Sequence, residues 1–256
     1  MIIIDSHTHM PGQALSLISG YDATQFLSML DRNGVGKAWV FTLDGLYFDP
    51  APHNDILKDY CAADPNRLIP FCTVHPRYPN AVDELRRCVL KLGMRGVKLH
   101  PWAQAFSPLE PIMDGLGEEM ESLGVPVMFH DGTPPYSSPL QIAYFAIRHP
   151  RLKIILGHGG LHDLWKEALF AAERCPNLYL VPSGTPPYGL KQIISRLPVE
   201  RILFGTDAGF GDPYWQPFQL SKIHSLGLPL GDEALILGGN AERILAGQQK
   251  EVKGKN

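Results

Sequence analysis

The sequence predicts an α/β protein, a single (β/α)₈ TIM barrel over residues 1–249 followed by a polar C-terminal tail at 250–256. Eight short apolar segments recur along the chain, and their starts lie 24 to 35 residues apart. A strand, a crossover helix and two loops need roughly 30 residues, so the spacing is that of repeated βα units. Barrels of this kind commonly form one domain of about 250 residues.

The eight segments are rich in β-branched and aromatic residues, and most are continuously apolar rather than alternating. Such segments are typical of parallel strands that are buried on both faces. The predicted strands are 2–5, 37–42, 68–74, 96–100, 126–130, 153–158, 178–181 and 202–207. An open doubly wound sheet would also alternate strands and helices, but eight units without a Gly-rich phosphate-binding turn favour the closed barrel.

Helix signals fill the intervals between the predicted strands. Residues 22–32 place apolar side chains on one face, and 83–92 repeat the pattern. Gly34 and Gly93 follow these segments as stop signals. The last segment, 232–246, predicts a helix that closes the barrel.

The composition excludes several classes of partner. A formal net charge of −3 and a pI near 6.4 give no positive field to attract nucleic acid or an anionic membrane. No run approaches the roughly 20 apolar residues of a membrane span, and no secretory signal is expected at the start. The four cysteines are widely spaced and form no CxxC pair, which predicts free thiols in a cytoplasmic protein.

Metal-ligating side chains are concentrated at the ends of the predicted strands. His7 and His9 follow strand one, His130 ends strand five, His158 ends strand six and Asp207 ends strand eight. Taken singly, a strand-end His or Asp most often only caps a loop. The carboxyl ends of barrel strands converge on one mouth, however, so these residues become neighbours there. His7 and His9, two apart on extended backbone, point the same way, and with a third imidazole and the Asp207 carboxylate they are predicted to bind one divalent ion, with Zn²⁺ the expected metal.

Five more side chains near the same mouth are candidates for binding substrate or a second metal. They are Lys98 and His100 on strand four, His75 and Arg77 after strand three, and Trp102 after strand four. Arg77 is a candidate for holding a substrate carboxylate with two hydrogen bonds, although a loop-bracing role fits it equally well.

Six segments, in order, resemble the signature segments of the amidohydrolase superfamily and of its amidohydrolase-2, aromatic-decarboxylase-like branch. They are IIIDSHTHM, RGVKLHP, VPVMFHDG, KIILGHGG, RILFGTDAGF and ILGGNAERIL. The resemblance implies the same barrel, metal ligands at His7, His9, His130 and Asp207, and a catalytic role for His158. Asp131 departs from the branch, where a small hydroxyl residue is usual. Ala208 and Gly209 replace a common aromatic-Pro pair.

The resemblance also bears on the number of metals. In binuclear members a carboxylated lysine on strand four bridges two ions, and Lys98 stands at that position. The VKLHP segment commonly accompanies a single metal in this branch, so one ion is predicted and the binuclear site is the alternative.

The predicted activity is hydrolysis of an amide, lactone or ester bond in a small molecule. A metal-activated water would be the nucleophile, and Asp207 would be the general base and then the general acid. The first alternative is a non-oxidative decarboxylase or hydratase of an unsaturated or aromatic carboxylic acid. Such decarboxylases tend to be longer than this compact chain, which favours the hydrolase. A catalytically inactive ligand-binding barrel is the second alternative, and a homo-oligomer remains open.

Overall fold

The computed structural model describes residues 2–12 and 20–253, and the strands lie close to their predicted positions. The strands of this part of the chain are β1 (Ile3–Met10), β2 (Val35–Thr42), β3 (Leu68–Phe71), β4 (Val97–Leu99), β5 (Val127–Phe129), β6 (Ile154–Leu156) and β7 (Leu178–Leu180). All of their pairings are parallel, in two sheets with the strand orders β1-β2-β3 and β4-β5-β6-β7. The (β/α)₈ barrel predicted from the sequence is confirmed.

The barrel closes through single bridges rather than through long ladders. A parallel bridge between Cys72 and Val97 joins β3 to β4. The eighth predicted strand, 202–207, is not a regular strand: it bridges to β7 at Ile202, and the next residue after it, Ala208, bridges to β1. The ladder is interrupted twice between these bridges, because the Phe204 N–H donates to the Ile236 carbonyl outside the sheet and Asp207 is left-handed, with a φ of 68°.

Helices cover the outside of the strands. They are α1 (Ala23–Arg32), α2 (Asp44–Tyr47), α3 (Pro50–Cys61), α4 (Ala81–Arg86), α5 (Ile112–Leu123), α6 (Pro139–Arg148), α7 (Trp165–Arg174), α8 (Pro187–Arg196), α9 (Trp215–His224), α10 (Leu230–Ala234) and α11 (Asn240–Lys253). Asp22 and Gln25 form a capping box at the start of α1.

Two of the predicted helices change character along their length. The predicted helix 83–92 begins two residues earlier, as α4, and continues as a π-helical turn over Arg87–Lys91. The closing helix is likewise divided into α10, a π-helical turn at Leu235–Gly239, and α11. The division into residues 1–249 and a tail at 250–256 stays a prediction. The first residues of the predicted tail belong to α11, and residues 254–256 lie outside the described residues.

The apolar core has two layers. Ile4, Trp39, Phe41, Met128 and Ile155 belong to a cluster inside the barrel, and the other layer lies between strands and helices. The first turns of α11 pack on the inner cluster. In the described part of the chain, no helix combines the length and the apolar character needed to cross a membrane. The four cysteines are free and buried, as predicted.

Candidate metal centre

The centre of the site is a compact group of two imidazoles and one carboxylate. β1 extends to Met10, so His7 and His9 lie within the strand and, two residues apart, point to the same side. His9 Nε2 lies 2.9 Å from Asp207 Oδ1, and His7 Nε2 lies 3.3 Å from the same oxygen. The side chains of His7 and His9 are buried, whereas that of Asp207 is 33% exposed and is the part of the group that a substrate can reach.

The backbone carries Asp207 to this position in a left-handed conformation. Asp tolerates that conformation better than most residues, and such strain persists only where neighbours hold it. The Asp207 N–H donates to the His7 carbonyl at 2.7 Å, and the His9 N–H donates to the Ala208 carbonyl at 2.8 Å. Thr206 accepts a bond from the Ala208 N–H at 3.1 Å. The carboxylate is therefore fixed against β1 by the main chain on both sides.

The donor set fits a divalent ion. His7 Nδ1 lies 2.7 Å from the Gly157 carbonyl and must donate to it, so Nε2 of the neutral ring carries a lone pair. Burial lowers the pKa of His7 well below its usual range, and nearby positive groups lower it further, which keeps the ring neutral. A lone pair and a carboxylate oxygen thus face each other. Ligand atoms about 2.0–2.2 Å from one ion lie roughly 3 Å apart, which matches the spacing of this group.

His130 and His158 form a second pair of imidazoles beside the first. His158 Nε2 lies 2.9 Å from His130 Nδ1, and His158 Nδ1 lies 3.2 Å from the Ser183 hydroxyl. His130 Nε2 lies 2.8 Å from the Thr133 hydroxyl. His130 is not among the described side chains whose ligand atoms converge with Asp207, so its ligand role stays a prediction. The His158 ring is nevertheless adjacent to His7, with centroids 4.7 Å apart.

Burial controls the protonation of this group. It lowers the pKa of His158 to about 4 and, together with the charge of Lys98, lowers the pKa of His100 to about 3. Burial would raise the pKa of Asp207, but in the acidic range where this carboxylate titrates the charge of His158, the hydrogen bond from His9 and the charge of Lys98 outweigh burial, and the pKa lies below its usual range. At neutral pH the protein therefore presents neutral imidazoles and an ionised carboxylate, the protonation states in which these side chains bind metals.

Lys98 is buried against His7, His9 and Asp207, which together are the candidate metal-ligating group. Its ammonium donates to His7 Nε2 at 3.1 Å and lies 5.2 Å from the centre of the Phe41 ring. Burial lowers the pKa of Lys98 to about 8, although Asp207 and Asp131 oppose the shift. Gly157 makes room for it, because a Cβ at that position would lie 3.2 Å from Nζ and 3.0 Å from His7 Cε1.

The outer candidates are further from the metal-ligating group. His100 stacks on His130, with ring centroids 3.7 Å apart, and so adds a third imidazole to the pair formed by His130 and His158. His75 stacks on Tyr78, and Arg77 is paired with Glu110 at 2.7 Å. Trp102 is 50% exposed. The structure thus joins Lys98 and His100 to the site, and it gives Arg77 a carboxylate partner from the protein itself.

Two supporting residues escaped the sequence analysis. Asp5 is buried and accepts bonds from the backbone N–H groups of His7 and Thr206, which ties β1 to the eighth segment. Its place two residues before His7 on the same strand was the available signal. Ser183 follows β7, but a rule that selects metal-ligating side chains at strand ends passes over a serine.

A sequence model of the family described as Amidohydrolase matches residues 4–246. Among curated proteins, the chain is 31% identical over 210 residues to a gamma-resorcylate decarboxylase from Rhizobium sp. (strain MTP-10005), a match that covers 61% of this chain. It spans only 64% of that relative's length.

Solved structures with the same fold include decarboxylases. A 2,6-dihydroxybenzoate decarboxylase from Rhizobium superposes with a TM-score of 0.73 at 20% identity, covering 96% of this chain and 98% of that one. A dihydroxybenzoic acid decarboxylase from Polaromonas sp. JS666, with bound manganese and the inhibitor 2-nitroresorcinol, gives 0.72 at 19% identity, covering 96% and 97%. The family match over nearly the whole chain, together with the barrel and its His-His-Asp group, shows that this protein is an enzyme of the amidohydrolase family.

Proposed function

We propose that the protein is a divalent-metal-dependent, non-oxidative decarboxylase of a hydroxylated aromatic carboxylic acid. The observation that carries the proposal is the likeness to gamma-resorcylate decarboxylase at 31% identity, combined with a carboxylate placed on the metal-ligating group. The hydrolase predicted from the sequence has less support. The short length of the chain favoured it, but a chain of this length is nevertheless similar in sequence to decarboxylases.

His7, His9 and Asp207 would hold the ion, and His130 would join them if its Nε2 left Thr133. Bound there, a divalent ion would neutralise negative charge on substrate oxygens and fix their position. A benzoate with a hydroxyl beside its carboxylate offers two such oxygens. A first-row ion suits this mixed nitrogen and oxygen set, with Zn²⁺ and Mn²⁺ as the candidates to test.

Asp207 is the proposed proton-transfer residue. It combines an ionisable group with the most open position in the metal-ligating group. In the reaction, the bond between the ring carbon and the carboxyl carbon breaks, carbon dioxide leaves, and the electron pair stays on the ring carbon. Asp207 is ionised in the free protein, so it would first take up one proton from solvent and then pass it to that carbon, which returns the carboxylate to its starting state.

Lys98 and His158 would support the substrate anion. The Lys98 ammonium is the buried cation beside His7, and it opposes the negative charge of a carboxylate brought to the ion. His158 is neutral, with a ring directly beside that of His7, and is suited to hydrogen-bond a substrate oxygen.

The test begins with metal analysis of the purified protein, followed by reloading with Zn²⁺ or Mn²⁺. Release of carbon dioxide from 2,6-dihydroxybenzoate and related hydroxybenzoates is then measured. A panel of lactones, esters and amides is assayed in parallel. Turnover of a hydroxybenzoate supports the proposal. Hydrolysis of a panel compound without any decarboxylation would contradict the proposal and would support the hydrolase activity predicted from the sequence.

Two variants separate metal binding from proton transfer. Asp207→Asn keeps a carbonyl oxygen for the ion but removes the titratable group, so metal should be retained more weakly while kcat falls by about 10²-fold or more. His9→Ala removes a nitrogen ligand and should lose metal and activity together. Normal turnover by Asp207→Asn would show that another residue transfers the proton.

A further inference from the structure

The loop that carries His158 has an uncommon backbone. Gly159, Gly160 and Leu161 all have positive φ, at 58°, 84° and 53°. Glycine adopts this region freely, but Leu161 does so at a cost, because its Cβ crowds the following carbonyl oxygen. A run of three left-handed residues does not persist by itself. Contacts from outside the loop must hold it in shape.

Asp131 supplies those contacts with both of its carboxylate oxygens. Oδ1 accepts from the His158 N–H at 2.6 Å, and Oδ2 accepts from the Gly160 N–H at 2.5 Å. The side chain is fully buried at the end of β5. An ionised carboxylate that accepts short bonds from two backbone N–H groups of the same turn forms stronger and more directional hydrogen bonds than a neutral acceptor does. Asp131 therefore holds the turn at two points, the N–H groups of His158 and Gly160.

The neighbouring loops allow little freedom around this turn. Thr185 donates to the Gly159 carbonyl at 3.0 Å. A Cβ built on Gly132 would lie 2.9 Å from the Leu161 Cβ, so the loop after β5 packs directly on the turn. With its backbone held in this way, the His158 ring reaches His130 on one side and Ser183 on the other.

We propose that Asp131 is a positioning residue, which fixes the His158 imidazole by holding the left-handed turn 159–161 with its two carboxylate oxygens. The inference rests on the proposed function to the extent that His158 acts on the substrate. A single hydroxyl cannot accept from both N–H groups in the same geometry. A serine or threonine at this position therefore cannot replace Asp131 in this role.

The main test is Asp131→Asn, which keeps the size of the side chain but puts an NH₂ against one of the two N–H donors. We expect kcat for decarboxylation to fall by about 10²-fold, as for a catalytic group displaced by about 1 Å. KM and metal content should change by less than about twofold. The matched control is Glu84→Gln, a buried carboxylate that binds Arg87 and Asn54 away from the site. It should lower thermal stability without changing kcat.

A double-mutant cycle shows whether Asp131 acts through His158. His158→Gln alone and the double variant Asp131→Asn/His158→Gln should have the same kcat, because the positioning residue has nothing left to position. Additive losses, or an Asp131→Asn enzyme with normal kcat, would overturn the proposal. If Asp131→Asn does not yield folded protein, Asp131→Ser, which removes the carboxylate without introducing an amide, takes its place in the cycle.

Hydrogen exchange separates this inference from the proposed function. Peptides covering 157–161 should exchange at least tenfold faster in Asp131→Asn than in the wild type, and no faster in Glu84→Gln. This measurement needs no substrate. A wild type without decarboxylase activity would refute the proposed function, whereas faster exchange in Asp131→Asn than in that inactive wild type would still support the role of the Asp131 carboxylate. Unchanged exchange in Asp131→Asn would overturn the inference about Asp131 regardless of the activity.

Discussion

Lys98 is a buried cation beside the His7 ring, whose Nε2 lone pair must be free if His7 is to bind a metal ion. In the structure its ammonium donates to His7 Nε2, the atom that faces Asp207. An ion held by His7 and Asp207 would compete with that hydrogen bond. Lys98 then has two possible states, an ammonium turned toward a substrate anion or a carbamate that helps to bind a second ion. These states differ in metal stoichiometry.

We therefore predict that Lys98→Ala retains about one bound ion per chain, because His7, His9 and Asp207 supply ligands without it. The wild type should also hold one ion. Substrate binding should weaken, since the buried cation is lost. Elemental analysis after removal of excess metal measures the stoichiometry. Two ions in the wild type and fewer than one in Lys98→Ala would establish the binuclear, carbamate-bridged alternative.

The sequence was sufficient to predict that His7, His9 and Asp207 meet, because barrel topology brings strand ends together whatever their separation along the chain. It could not predict that His130 would hydrogen-bond to Thr133 and His158, since this depends on side-chain rotation. The role of Asp131 was also hidden. Only the backbone conformation of the loop it faces shows why two acceptor oxygens are present there.

At the scale of elements, a buried cation of α9 binds the loop after β7. The Lys222 ammonium donates to the carbonyls of Pro182, Ser183 and Thr185 at 3.2, 3.0 and 2.9 Å. These carbonyls belong to the loop after β7, which also carries the hydroxyl partner of His158. Gln219 of the same helix donates to the Ser183 carbonyl as well. The helix thereby fixes the loop whose carbonyls would otherwise be buried without partners.

Lys222→Met should lower the free energy of unfolding by about 1–3 kcal/mol, the cost of leaving buried acceptors unpaired. The matched control is Lys191→Met on α8, where the lysine is exposed and the same change should have almost no effect. Chemical denaturation of both variants measures the difference. Equal stability of the two would mean that the three carbonyls find other donors and that Lys222 is not the anchor of this loop.

The positions of the elements were largely predictable from periodicity, because each strand is a short apolar run between polar loops. The exceptions have local causes. The eighth segment lacks regular pairing in part because Asp207 is left-handed, a conformation that no apolar pattern encodes. The π-helical turns at Arg87–Lys91 and Leu235–Gly239 also leave no mark in the hydrophobic spacing.

For the whole molecule, the metal-ligating group lies on the junction where the first strand meets the eighth segment. His9 and Asp207 are 198 residues apart in the chain, and regular pairing at this junction is short. An ion bound by both sides stabilises the native state only, because the unfolded chain does not hold these residues together. It should therefore contribute more to stability than a site formed by one local segment.

We predict that removing the metal with a chelator lowers the melting temperature and that adding it back restores the value. At a free metal concentration of about 100 times Kd the gain is about 2.7 kcal/mol, or roughly 5–10 °C for a chain of this size. Differential scanning calorimetry provides the measurement. His9→Ala is the control and should show no response to metal. An identical shift in that variant would place the stabilising ion elsewhere.

The long separation between His9 and Asp207 has a consequence for how the enzyme is made. Synthesis runs from the N-terminus, so His9 is translated 198 residues before Asp207. A nascent chain that has not yet reached residue 207 cannot assemble the group with its carboxylate. Products that terminate before Asp207 therefore cannot form the complete site, whatever part of the barrel they contain.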